Sequence, residues 1–308
     1  MRGLSLSDLF LREGTMKKSN RQSAIGNRQL NPNSPLSAPC SLPSLTVLIK
    51  GAGEMATGIA HRLFMANITK IVMTEIARPI TVRRTVAFSE TVYEGKVKVE
   101  GVTAELVDTV KDIEPVWKKR RIAVLIDPKW KAVAALKPDV IVDAIMAKKN
   151  LGTKKDEASL VIGVGPGFTA PVHVHLAVES NRGQDLGRVF YKGSTEAHTG
   201  IPGPVMGYTT ERVLRSPHAG TIKHVNKKIG DRVKKGDIVA YVNKTPVEAP
   251  FDGVLRGLIR EVKVPANEKI GDIDPRGKKE WCYTITEKAR AVGGGVLEGI
   301  MHAYNVNR

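Results

Sequence analysis

Only two cysteines occur in the 308 residues, Cys40 in a Ser/Pro-rich stretch and Cys282 far downstream. Sulfur alone therefore cannot build a four-ligand zinc or iron–sulfur site. Aromatic residues make up 5% of the chain, too few for the ring platforms on which single-stranded nucleic acid stacks. No apolar run approaches the roughly 18 residues of a membrane-spanning helix, and the start carries no compact apolar segment with a cleavage site. These gaps point to a cytoplasmic protein that neither enters a membrane nor is exported. Nor is there a Ser/His/Asp order, a Cys/His nucleophile signature or a Walker loop, so hydrolase and kinase chemistry have no residues to act through and no catalytic group is assigned.

What is present is an ordinary globular composition, 42% hydrophobic and 26% charged, on a length that suggests two or three domains. The charge is one-sided: 48 Lys and Arg against 31 Asp and Glu give +17, a field that draws phosphates or acidic partners. The basic residues fall in short scattered pairs such as Lys118-Lys119, Lys227-Lys228 and Lys278-Lys279. Each pair reads most simply as a solvated loop or helix end, and nucleic acid is not an expected partner.

Residues 1–44 hold eight Ser, four Pro and four Asn with no apolar period, and are expected to be disordered or a mis-annotated extension. From Leu45 strands and helices alternate. Thr46–Lys50, a helical spacing over 56–66 and Ile71–Glu75 make a βαβ unit. Ile122–Ile126, Val140–Ile145 and Leu160–Val164 are further buried-strand candidates, with helical stretches over 108–119 and 128–136 between them. Val97–Val107, broken at Gly101, reads as a hairpin insert, and Val172–Glu179 and Gly187–Tyr191 as later strands. Residues 45–211 are thus expected to form a Rossmann-like α/β region with a mostly parallel sheet.

After that the chain repeats itself. Ser216–Lys223 matches Ala249–Arg256, and Ile229–Asp237 matches Ile270–Lys278, each copy pairing a Pro-x-x-Gly turn with a Gly-Asp turn. Two copies predict a pseudo-twofold all-β unit over 212–285. Residues 286–308 close the chain with a helix over Thr286–Tyr304, whose Ala289, Val292, Val296, Ile300 and Ala303 share one side and pack on the α/β region. Gly293-Gly294-Gly295 costs that helix about 1 kcal/mol per residue against alanine, which anticipates a close packing contact or a bend.

Gly51-Ala-Gly53-Glu-Met-Ala56, directly after a strand and opening a helix, has the context of a dinucleotide fingerprint. Gly51 permits the tight turn, Gly53 the approach of a pyrophosphate, Ala56 or Gly58 close packing, and the helix N-terminus offers oriented N–H donors. Glu75 stands where an acid takes ribose hydroxyls, and Arg78, Arg83 and Arg84 follow where phosphates would lie. Glu54 would repel a phosphate unless it turns outward or pairs with a base. Gly163, Gly165 and Gly167 form a second glycine loop on the same sheet edge. Asp127 and Asp143 end predicted strands; Asp127 before Pro128 also reads as a helix cap, which leaves Asp143 as the better functional candidate. His173 and His175 alternate along a predicted strand and with His198 could approach a metal, yet no carboxylate or thiolate stands at a ligand spacing, so no metal site is expected.

The repeat with its Pro-x-x-Gly and Gly-Asp turns resembles the barrel-sandwich fold of biotinyl and lipoyl domains. Those carriers display a lysine at a hairpin between the halves; here Tyr241–Pro250 offers Lys244, without flanking methionines and followed by Thr245-Pro246. From Val47 to His302 the chain resembles the YqeB family, accessory proteins of selenium-dependent molybdenum hydroxylase systems. The resemblance rests on Lys50–Gly58, Arg83–Glu90, Val142–Asn150, Gly163–Phe168, Asn181–Gly183 and Thr199–Gly203. It implies an accessory or maturation factor that binds a nucleotide or the molybdenum-pterin dinucleotide cofactor, with a molybdenum hydroxylase or other maturation proteins as partners. The alternatives are an NAD(P)-dependent oxidoreductase and a lipoyl- or biotin-like carrier module.

Overall fold

The computed structural model describes residues 44–305, all within one compact unit. The expectation for residues 1–44 therefore falls, Ser44 apart, outside the described residues. Continuous apolar runs, the pattern of strands buried on both faces, form the centre of the molecule. The strands are β1 (Thr46–Lys50), β2 (Lys70–Glu75), β3 (Lys96–Val99), β4 (Val102–Val107), β5 (Ile122–Ile126), β6 (Val140–Asp143), β7 (Leu160–Val164), β8 (Thr169–Ala170), β9 (Leu176–Val178), β10 (Val189–Phe190) and β11 (Gly193–Ser194). Nine of them form one sheet in the order β10-β9-β7-β6-β1-β2-β5-β4-β3, while β8 and β11 pair separately. Only its two edge pairings, β3 with β4 and β9 with β10, are antiparallel. The helices are α1 (Glu54–Met65), α2 (Thr91–Glu94), α3 (Ile113–Lys118), α4 (Ala132–Leu136) and α5 (Glu287–Tyr304).

From β1 the chain steps outward to β2, passes to the far edge at β3, returns inward through β4 to β5, and then crosses to β6 on the other side of β1. That reversal leaves a crevice outside the carboxyl ends of β1 and β6, where open α/β sheets bind ligands. Several local expectations are corrected. The 97–107 hairpin is no insert, because β4 pairs in parallel with β5 and widens the main sheet. The helix expected over 128–136 begins only at Ala132, and the strand expected to reach Ile145 ends at Asp143. His173 and His175 lie in the turn before β9 and do not alternate on a strand. Each accepts a backbone N–H through Nδ1 instead, from Thr169 and Val161 respectively.

The second half of the described chain adds β12 (Val213–Arg215), β13 (Gly220–His224), β14 (Arg232–Val233), β15 (Ile238–Val242), β16 (Thr245–Glu248), β17 (Gly253–Leu258), β18 (Lys263–Val264) and β19 (Lys269–Asp274). They form two four-stranded sheets, β12-β19-β17-β14 and β16-β15-β13-β18, around a shared core that includes Ile222, Val239, Val254, Leu255 and Ile273. The copies exchange strands: β14 of the first pairs with β17 of the second, and β18 of the second with β13 of the first. This sets the true register of the repeat. Val233 corresponds to Val264, and Ile270-Gly271-Asp272 lies inside β19 rather than forming the turn that its likeness to Ile229-Gly230-Asp231 suggests.

The terminal helix follows from its sequence. Thr286 caps it, its Oγ1 accepting from the Ala289 N–H at 3.2 Å, and its apolar stripe is buried against α1 and the main sheet. Gly58 is what lets the two helices meet, since a Cβ there would lie 2.6 Å from Ala289 Cβ.

Candidate functional site

A cavity of about 530 Å³ fills the crevice. Gly51, Gly53 and Glu54 face it from the β1–α1 turn, Thr74 and Glu75 from the end of β2, Asp127 and Trp130 from beyond β5, Ala144 to Met146 from beyond β6, and Lys269 from the distant β19. Gly51 has φ +92°, and a Cβ there would sit 3.2 Å from the Ala144 carbonyl oxygen, so both conformation and space require glycine. Gly53 is the N-cap of α1 with no side-chain cap, and a Cβ there meets nothing within 4 Å. The first N–H groups of a 12-residue helix thus open on the cavity.

Glu75 accepts from the Ala52 N–H at 2.9 Å and the Ile76 N–H at 2.8 Å. Burial nonetheless pushes its carboxyl above the usual range, against the pull of those two donors. Glu54 does pair with a base: Arg83 Nη1 lies 2.8 Å from its Oε1. Burial works to raise the Glu54 carboxyl, but Arg83 and Arg256 outweigh it and hold it low. The same pairing takes Arg83 away from the expected phosphate, because its Nη2 also donates to the Trp281 and Thr284 carbonyls. Arg84 is outside the cavity lining and donates to the Leu258 carbonyl at 2.7 Å. These two arginines tie the β1–α1 turn and its flank to the strand-exchanged half.

Asp143 is buried behind the cavity with Lys50. Its Oδ2 accepts the Thr153 hydroxyl at 2.7 Å and its Oδ1 the Ile145 N–H at 3.2 Å, while burial raises its carboxyl against those donors. Lys50, fully buried, donates to Thr153 Oγ1 at 2.8 Å and Glu157 Oε2 at 2.6 Å, and its ammonium stands 4.2 Å from the Trp130 ring centroid. Sequence reading passed over Lys50; a lone lysine ending an apolar strand was the available signal. Asp127 is closer to its cap reading, its Oδ2 accepting from the Ala132 N–H.

The second glycine loop is not brought to the cavity. Gly163 is covered by the Phe168 ring, a Cβ at Gly165 would lie 2.6 Å from Ser180 Oγ, and one at Gly167 2.6 Å from the Asn150 nitrogen. These glycines serve packing of the protein on itself. Ala56 is buried in the main core and Gly58 under α5. Among the described residues no cluster of three or more His, Cys, Asp or Glu is arranged to hold a metal ion, and no helix is long and apolar enough to cross a membrane.

No protein-family profile matches the chain. Among solved structures it is similar to TcdA (CsdL), at a TM-score of 0.31 and 12% identity over 86% of this chain and 90% of that one. It also overlaps an aspartoacylase family protein from Mesorhizobium loti, at a TM-score of 0.23 and 10% identity over 69% and 58%. Overlaps this slight carry no conclusion about activity. Uncharacterized protein YqeB of Escherichia coli (strain K12) is 45% identical over 256 residues, which are 83% of this chain and 47% of that protein. The chain thus spans about half the length of the curated relative it matches. Identity at that level over 83% of this chain makes it a homologue of the matching part of YqeB.

Proposed function

We propose that the protein is a cytoplasmic accessory factor that binds a nucleotide or the pterin-dinucleotide molybdenum cofactor in the crevice and assists maturation of a selenium-dependent molybdenum hydroxylase. The observation that carries the ligand reading is the uncapped N-terminus of α1 facing an open cavity at the strand reversal. Bare glycine backbone and oriented N–H groups suit a phosphate, and Trp130 with Ile145, Met146 and Leu151 offers apolar surface for a flat ring. Within this reading, residues 45–211 are the ligand-binding α/β region, 212–285 a biotinyl/lipoyl-like barrel, and 286–308 the helix that returns to the α/β region.

Gly53→Val tests the ligand reading cleanly. Gly53 has φ −67°, which valine adopts readily, and its Cβ position is open, so the variant folds with a capping loss of about 1 kcal/mol or less. Its branched side chain then fills the space in front of the α1 N–H groups. Calorimetric titration with ADP is expected to show affinity reduced about tenfold or more. Unchanged affinity in the folded variant removes the crevice as the site. Titration with NADH, read by nicotinamide fluorescence, separates the oxidoreductase alternative.

One observation favours the carrier alternative: Lys244 is exposed in the two-residue turn between β15 and β16, where Val242 pairs with Thr245. The hairpin is nevertheless pinned. Asn243 Oδ1 accepts from the Thr221 N–H, and the Thr245 hydroxyl lies 2.9 Å from His218 Nε2. With Pro246 stiffening the following strand, the lysine is expected to remain unmodified. Intact mass of protein made in cells with active biotin and lipoate ligases should equal that of the unmodified chain; an increment mapped to Lys244 promotes the carrier reading.

A further inference from the structure

Among the described residues two cationic side chains line the crevice, and one of them is committed. Arg83 is held by Glu54 and two carbonyls. Lys269, the first residue of β19, reaches the same cavity from the strand-exchanged half. Among the described residues its Nζ makes no hydrogen bond and no ion pair. The acid that pulls on it most, Asp272, is already bonded to Arg212 at 2.7 Å and faces Arg256 at 3.6 Å. A second polar group of the same lining stands unanswered. Thr74, 1% exposed and lining the cavity, has a hydroxyl oxygen without a hydrogen-bond partner. Buried polar atoms are nearly always satisfied, so an orphan at a cavity wall points to a group that arrives with a ligand. The acids of the lining do not compete for the lysine in the same way: Glu54 is neutralised by Arg83, while Glu75 and Asp127 are bonded to backbone N–H groups.

We propose that Lys269 is the counter-ion of the ligand's phosphate. On this arrangement a phosphate or pyrophosphate is gripped between the α1 N-terminus and β19, with the Thr74 hydroxyl donating to it or to the adjoining sugar. The inference deepens the ligand reading above and rests on it. It narrows the ligand to a phosphorylated nucleotide-like molecule over a neutral nucleoside, and it makes the strand-exchanged half part of the binding site. Burial pushes the Lys269 ammonium below its usual range, and Arg212 and Arg256 add to that while Asp272 and Glu54 oppose it; an incoming anion shifts the balance back towards the charged form. The link is also mechanical, because β19 lies between β12 and β17, and β17 reaches back to the crevice flank through the Leu258 N–H to the Val82 carbonyl.

The test uses the full chain with inorganic pyrophosphate, ADP and adenosine as probes, titrated against the parent, Lys269→Gln, Lys269→Arg and Gly53→Val, after far-ultraviolet dichroism has established that each is folded. Lys269→Gln is expected to bind pyrophosphate and ADP about tenfold more weakly, to leave adenosine binding unchanged, and to show a shallower dependence of ADP affinity on ionic strength, since a charge contact is what salt screens. Lys269→Arg restores most of the loss. If Gly53→Val loses pyrophosphate while Lys269→Gln keeps it, the ligand sits on the glycine turn without β19 and this inference fails alone. If adenosine weakens as much as ADP in Lys269→Gln, the lysine shapes the cavity without meeting a phosphate, and the inference is again overturned. A parent protein that binds neither pyrophosphate nor ADP overturns both it and the ligand reading.

Discussion

Lys50→Met is expected to lower stability by about 3 kcal/mol, a melting-temperature drop of roughly 6–12 °C for a protein of this size. Lys50 ends β1 with its ammonium wholly out of water, and it is tolerated there because every direction it faces is answered: Glu157 at 2.6 Å, Thr153 at 2.8 Å, and the Trp130 face at 4.2 Å. Methionine keeps the stem and deletes the charge. Removing one partner of a buried pair costs about 3–5 kcal/mol, and the side chain of Glu157 is 20% exposed, which places this pair at the low end. The sign of the pH dependence follows from Asp143. Burial raises its folded-state carboxyl above the unfolded one, so its ionised form opposes folding and that opposition fades as pH falls through the raised value. Without the Lys50 charge nearby the carboxyl rises further, and the deficit of Lys50→Met should therefore shrink on acidification from neutral pH. Scanning calorimetry at neutral and mildly acid pH checks both statements; a deficit that grows with acid contradicts them.

The parts of this architecture that were legible in the sequence are those written in short-range pattern. β1, β5 and β7 fall on Thr46–Lys50, Ile122–Ile126 and Leu160–Val164, the bounds their continuous apolar runs predict, because a strand buried on both faces leaves no polar register to misjudge. The terminal helix was equally plain, with Thr286 at its start and a stripe of small and branched apolar residues along it. The turn of Gly51 and Gly53 was read from its position between a strand and a helix. Pattern failed where one residue type serves several purposes. Gly163 and Gly167 look like a phosphate loop, yet they make room for Phe168 and for the Lys149–Asn150 backbone. Arg83 and Arg84 sit at the right distance from Glu75 along the chain and spend their donors on Glu54, Trp281, Thr284 and Leu258. Lys269 could not be found this way, since nothing local in Glu268-Lys269-Ile270 records that β19 is carried back to the end of β1. The misaligned second half of the repeat has the same origin: a Gly-Asp pair reads as a turn, whereas strand exchange between the copies places Gly271-Asp272 in a ladder with β12 and β17.

The three consecutive glycines of α5 give a prediction whose sign changes from one residue to the next. In a helix interior, glycine to alanine stabilises by about 0.5–1 kcal/mol when the methyl meets nothing. Gly294 is such a position, with no atom within 4 Å of where its Cβ would stand, so Gly294→Ala is expected to gain that amount. At Gly295 the same methyl would run into the Gly187 carbonyl oxygen and lie 2.9 Å from Val178 Cγ1. Gly187 is itself held at φ +83° with the Ala291 carbonyl oxygen 2.7 Å from where its own Cβ would be, so neither backbone can withdraw cheaply. Overpacking of this kind costs about 1–3 kcal/mol, and because the obstacle is backbone the upper end applies. Against the propensity gain, Gly295→Ala should lose about 2 kcal/mol net. Urea midpoints of the two variants should therefore move in opposite directions from the parent, with little change in slope. If both are stabilised, α5 does not lie against the β9–β10 edge as described. Through Gly58 and Ala289 the same helix braces α1, so the Gly295 variant is also expected to weaken ADP binding, which Gly294→Ala leaves intact.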